Sequence, residues 1–136
     1  MGRKKYISIG DCEICRELED RHEADQKEGW PEDDTFLPKA ALRLTPSSAR
    51  KHNRSSRFTL LQRCPICGAP YEYRFDYEYF PNGCEDSETL TRLTPADIRD
   101  KLTAVEYDRW MDRLKTDLDS PNRKTRDYAR KCLDID

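Results

Sequence analysis

The chain has 136 residues, the length of one ordinary domain, with 38% charged against 35% hydrophobic residues, a net charge of -2 and a mean hydropathy of -1.04. So little apolar material excludes a large hydrophobic core and calls for a staple, which six cysteines can supply. No run of about 18 apolar residues occurs, which excludes a membrane-spanning helix. The apolar stretch from Tyr6 to Ile9 is too short for a signal peptide, so a cytoplasmic protein with reduced thiols is expected.

Asp11 has the chemistry of an N-cap and Glu13 to Lys27 contains no Pro or Gly, so the sequence predicts a helix over about 12–28 that Gly29 and Pro31 end. Ile14, Cys15 and Leu18 are its only apolar candidates, which anchors such a helix at its N-terminus alone. Residues 31–57, with Pro31, Pro38, Pro46 and a Ser/Arg-rich stretch, read as a basic loop carrying one short helical turn after Thr45. Phe58–Leu61 reads as a short strand entering Cys64. In Tyr71–Phe80 the residues Tyr71, Tyr73, Phe75, Tyr77 and Tyr79 alternate with Glu72, Arg74, Asp76 and Glu78, the period of a strand with one apolar face. Pro81, Asn82 and Gly83 end it in a turn.

From Thr94 the pattern becomes helical, with Pro95 at the first position and Asp97 in the first turn. Ile98, Leu102, Val105, Tyr107, Trp110, Met111, Leu114 and Leu118 recur at three- and four-residue spacing, and the stripe around Trp110 is expected to cover Tyr73, Phe75 and Tyr77. Ser120 and Pro121 then open a final helix with Tyr128, Ala129, Cys132 and Leu133 inward.

Charge is sorted into blocks. Between Thr35 and Tyr71 there is no acid, while Lys39, Arg43, Arg50, Lys51, Arg54, Arg57 and Arg63 are basic; Glu85, Asp86 and Glu88 follow in an acidic turn. Such sorting predicts either internal pairing between the two blocks or a surface kept for a partner.

Four cysteines carry the strongest signal. A C-x-x-C turn delivers two thiolates to one ion, and two such turns complete a tetrahedral shell. Cys12 and Cys15 form one pair; Cys64 and Cys67, in C-P-I-C-G, form the other. The long gap between the pairs is no obstacle, since loop-closure entropy grows slowly with length. A shared structural Zn2+ site is predicted, although the same four thiolates also suit an iron-sulfur cluster. Cys84 is either a substitute ligand or an exposed thiol, His52 a ligand or a solvated side chain, and Cys132 a core thiol on a helical stripe. His22 lies too far along a continuous helix to share an ion with Cys15. A thioredoxin-like pair would need a βαβ setting that neither C-x-x-C has.

The expected fold is α+β in one domain, 1–136. A zinc-ribbon-like knuckle and the long aromatic strand form a small stapled sheet, packed on the helices of 94–136 and joined through the metal site to the N-terminal helix.

Residues 60–94, LLQRCPICGAPYEYRFDYEYFPNGCEDSETLTRLT, resemble a segment of uncharacterised bacterial proteins of zinc-ribbon or treble-clef-like type, which join a C-P-x-C-G knuckle to an aromatic strand, an acidic turn and a threonine-capped helix. The resemblance implies a bacterial cytosolic zinc protein and carries no assigned activity. Cys84 stands where that pattern has Ser, which speaks against its being a ligand.

Four cysteine ligands leave a metal no open position, and the chain has no G-x-x-x-x-G-K, G-x-S-x-G or H-E-x-x-H and only two histidines, so no enzyme is expected. The expectation is a protein-interaction module of the adaptor, antitoxin or immunity kind, meeting another protein through Arg50, Lys51, Arg54, Arg57, Glu85, Asp86 and Glu88. The alternative is a nucleic-acid-binding zinc ribbon that uses the basic 39–63 segment.

Overall fold

The alternating aromatic segment forms the central strand of a sheet, because one apolar face and one charged face suit a surface buried on one side only. The computed structural model describes residues 7–27, 29, 31–47, 51–54, 57–80 and 83–134, and the fold is α+β. Strands β1 (Arg21–Lys27), β2 (Thr45–Pro46), β3 (Lys51–Arg54), β4 (Arg57–Arg63), β5 (Pro70–Phe80) and β6 (Gly83–Arg92) form an antiparallel sheet ordered β1-β6-β5-β4-β2, with β3 also paired on β4. The register places Phe58 opposite Phe75, Leu60 opposite Tyr73, Tyr73 opposite Leu90 and Tyr71 opposite Arg92. One face therefore carries the aromatics with Leu60 and Leu90. The other carries an ionic ladder in which Arg57 Nε lies 2.8 Å from Asp76 Oδ1 and Arg74 Nε 3.5 Å from Asp76 Oδ2.

Two elements differ from the sequence reading at the N-terminal and acidic segments. The helix over 12–28 is absent: Cys15–Glu17 is a single 3-10 turn, and Arg21–Lys27 is the edge strand β1. Ile14, Cys15 and Leu18 are fully buried at the turn, and beyond them only Ala24 is buried up to Lys27. A helix there would have had nothing apolar to pack, whereas an edge strand satisfies its backbone on β6 at no such requirement. The acidic turn is likewise a strand, since Gly83–Arg92 returns along β5 over its whole length. Residues 31–47 are also more ordered than a loop, with 3-10 helices at Pro31–Asp33 and Lys39–Arg43 before β2.

The C-terminal half kinks where one helix was expected. Pro95 and Asp97 stand in the first turn as expected, with the Thr94 N–H donating to the Asp97 carboxylate at 2.8 Å, but the segment they start is a 3-10 helix, Pro95–Lys101, with Ile98 off helical geometry. Leu102 is extended, and Thr103 caps a new helix, α1 (Ala104–Asp117), by accepting the Glu106 N–H at 3.1 Å. The kink leaves Val105 64% exposed while Leu114 is fully buried. Helix α2 (Arg123–Cys132) is capped by Asn122 rather than by Ser120, and it buries Tyr128, Ala129 and Cys132 as expected.

Helix α1 packs on α2 and on the Pro95–Lys101 segment. Trp110, Met111, Leu114 and Tyr73 do share one core, but Phe75 and Tyr77 lie outside it. Phe75 stacks on Phe58 instead, with ring centroids 5.3 Å apart. The core is concentrated at one end of the sheet, where Tyr71 and Leu90 meet Ile14, Leu18, Leu114 and Tyr128. No helix among the described residues is long and apolar enough to cross a membrane.

Candidate metal centre

Each cysteine pair is held by local backbone. Ser8 O accepts the N–H groups of Asp11 and Cys12 at 3.1 and 3.0 Å, which turns the chain into Cys12, and Arg16 N–H returns to Cys12 O at 2.9 Å. At the second pair, Cys64 N–H donates to Ala69 O and Gly68 N–H to Cys64 O, both at 2.9 Å, and Ile66 N–H reaches Cys64 Sγ at 3.4 Å. Gly68 closes this knuckle with φ +81°, a left-handed conformation that a side chain would strain.

The two knuckles face each other. Cys12 Sγ lies 3.6 Å from Cys64 Sγ and Cys15 Sγ 3.4 Å from Cys67 Sγ, and all four sulfurs fall within 4.8 Å of one another. These separations exceed the roughly 2.05 Å of a disulfide. They match the edges of a tetrahedron around one metal, about 3.8 Å for metal–sulfur bonds of about 2.3 Å. Cys12, Cys15 and Cys64 are buried, and Cys67 is half-buried. The four sulfurs can hold one metal ion. Cys67 opens onto a cleft shared with Arg63, Trp110 and Arg113, so the accessible edge of the cluster is positively charged.

The thiols already polarise one another. Donation of the Cys15 thiol to Cys64 pushes Cys15 up to about 12, and hydrogen bonds from Cys15 and Cys67, with help from the Ile66 N–H, pull Cys64 far down. Cys67 is pushed up by donating to Cys15 and then to Cys64. The four sulfurs thus share their protons through mutual hydrogen bonds, and a cation entering the cluster displaces those protons.

A second layer of residues, missed by the sequence reading, fixes Cys15. The Tyr71 hydroxyl donates to Cys15 Sγ at 3.0 Å, and burial raises that hydroxyl above its ordinary value. Arg92, 2% exposed, donates through Nε to the Tyr71 hydroxyl at 3.1 Å and through Nη2 to Cys15 O and Leu18 O at 3.0 and 2.7 Å. Its Nη1 pairs with Asp20 Oδ1 at 3.1 Å. Sheet, 3-10 turn and cluster are therefore joined by one guanidinium, the kind of outer-shell support that orients metal ligands. The sequence reading carried no signal for Arg92, because the strand it ends was read as an acidic turn, and Tyr71 was read only as one of the inward aromatics.

Helix α2 holds the first pair from the other side. Lys124 Nζ donates to Arg16 O at 2.8 Å and Leu18 O at 3.2 Å, while Gly10 N–H donates to Thr125 Oγ1 at 3.0 Å and Asn122 Nδ2 to Gly10 O at 3.1 Å.

The remaining candidates among the described residues lie apart from the cluster. Cys84 sits opposite Tyr79 near the far end of the β5–β6 pair. Cys132 is buried on α2, where desolvation pushes its thiol up to about 12, as suits an inert core residue. His22 lies on β1, and its Nε2 accepts the Glu19 N–H at 2.8 Å. The side chains of His52, Lys51 and Arg54, and the whole of Arg50, lie outside the described residues, although Lys51–Arg54 backbone forms β3. Arg57 is committed to Asp76 and, at 3.9 Å, to Glu78. Glu85, Asp86 and Glu88 stand on β6 opposite Lys27, Gln26 and Ala24. Glu88 accepts from the Tyr73 hydroxyl at 2.6 Å and from Gln26 Nε2 at 3.5 Å. Comparison of the chain with family models, curated proteins and solved structures finds no match.

Proposed function

We propose that the protein is a non-catalytic, zinc-stabilised module that binds another protein. The observation that carries this reading is the cysteine cluster: four sulfurs from two knuckles surround one position, so a metal there has no coordination site left for a substrate or a water. Tetrahedral all-sulfur coordination favours zinc, and the small separation of the sulfurs leaves room for one metal atom rather than for a multi-iron cluster among them. Zinc would supply the core that the composition lacks, tying the N-terminal turn to the sheet.

The charge blocks favour a protein partner over nucleic acid. Arg57 is spent on Asp76 and Glu78, and Arg43 lies 3.4 Å from Glu13. Basic residues neutralised within the fold have little to offer to phosphates. The test is affinity capture from cells of the source with the zinc-loaded chain as bait. A stoichiometric protein partner retained at physiological salt is expected, and tight nucleic-acid binding that depends on Arg50, Lys51 and Arg54 would replace this reading with the alternative.

A further inference from the structure

We propose that the groove on the aromatic face of the sheet docks a second copy of this chain, forming a twofold dimer; this rests on the reading of the protein as a binding module. The groove encloses about 690 Å³ between the sheet and the segment 36–44, and its floor is Phe58, Leu60, Tyr73 and Leu90. Among the described residues the exposed large apolar side chains are Phe36, Leu42 and Val105, at 71%, 86% and 64%. Two of these three, Phe36 and Leu42, line this one groove. A small ligand filling the hollow would cover only the side of each that faces it, whereas a protein surface laid across the groove covers the rest as well.

The charges identify that surface as the same one on a second copy. A twofold axis brings one patch against itself, so the patch must be complementary to itself in shape and in charge. Here apolar knobs stand beside an apolar hollow, and Lys39 and Glu88, of opposite sign, line the same groove. Lys39 is exposed on the Lys39–Arg43 turn, and Glu88 is held half-buried in the groove by Tyr73 and Gln26. Rotation about the axis sets Lys39 of each copy toward Glu88 of the other, while Leu42 and Phe36 of each enter the opposite hollow.

Sedimentation equilibrium of the zinc-loaded full chain tests this. Wild type is expected at twice the 16.1 kDa chain mass. Leu42→Asp and Lys39→Glu, both at exposed positions, should melt like wild type and raise the dimer dissociation constant by about tenfold or more. Lys39→Glu and Glu88→Lys, each weakened alone, should form a heterodimer when mixed, because the all-acidic groove then meets the all-basic one. Should Glu88→Lys fail to fold, the Leu42 and Lys39 variants still decide. A wild-type chain that stays at single mass across the concentration range, or a dimer indifferent to Leu42→Asp and Lys39→Glu, overturns the proposal. A photo-crosslinker at position 42 separates the two readings: a crosslink to a different protein, with a monomeric chain, retains the binding module and removes the second copy, and no protein crosslink at all removes the groove as a docking face.

Discussion

At the scale of single residues, Arg92 is the side chain on which most depends. It is buried with its charge partner Asp20 largely in solvent, and its other donors satisfy Tyr71 and two carbonyls of the cysteine-bearing turn. Truncation would take a donor from the buried Tyr71 hydroxyl, and would leave Cys15 O with the Leu18 N–H alone and Leu18 O with Lys124 alone. Arg92→Ala is therefore expected to lower stability by about 1–3 kcal/mol in urea unfolding, and a fold that tolerates it within error would contradict the network. Tyr71→Phe keeps the ring but removes the hydrogen bond to Cys15, so it should weaken zinc about 10- to 100-fold in a competition titration with a chromogenic chelator. Gly10 is fixed for a different reason: a Cβ there would overlap the Asn122 amide and the Thr125 hydroxyl. Gly10→Ala should cost about 1–3 kcal/mol through that overlap, measured as a lower thermal midpoint.

At the scale of elements, the kink at Leu102 separates two versions of the C-terminal half. A continuous helix from Thr94 would put Val105 in the apolar stripe with Leu114; the Thr103 cap instead turns Val105 to solvent. Leu114→Ala should then cost about 2–5 kcal/mol, while Val105→Ala stays within about 0.5 kcal/mol of wild type. Equal losses would restore the continuous helix. The Thr103 cap went unread because the unbroken apolar spacing from Ile98 to Leu118 masks it. The strand β5 was legible because its alternation is strict, and α2 because its inner face is consistent. Strand β6 was not, since Glu85, Asp86 and Ser87 are poor strand formers and Leu90 alone among its residues is a buried hydrophobe. The signal available was the turn: an 11-residue strand ended by Pro-Asn-Gly calls for a returning partner of similar length. Strand β1 gave no local signal at all. It exists because β6 offers a free edge, and edge pairing overrides the helix propensity of an R-H-E-A-D-Q-K string.

For the whole molecule, the cysteine cluster brings the N-terminal turn against the β4–β5 knuckle, a junction also held by Arg92, by the core around Ile14 and Leu18 and, through Lys124 and Thr125, by helix α2. The spacing of the two C-x-x-C pairs made this centre legible in the sequence, while Tyr71 and Arg92 became functional candidates only once the register set them against Cys15. Because metal ligands of this kind must be thiolates, the stability that a metal would add here is expected at neutral pH and is expected to be lost as acid protonates them. The most direct measurement is metal content with unfolding, on wild type and on Cys12→Ser. One zinc per chain, loss of most structure on chelation, and equal damage from Cys12→Ser and Cys64→Ser are expected. Purified protein without zinc, or a Cys12→Ser variant that keeps both its metal and its melting temperature, would contradict a shared centre.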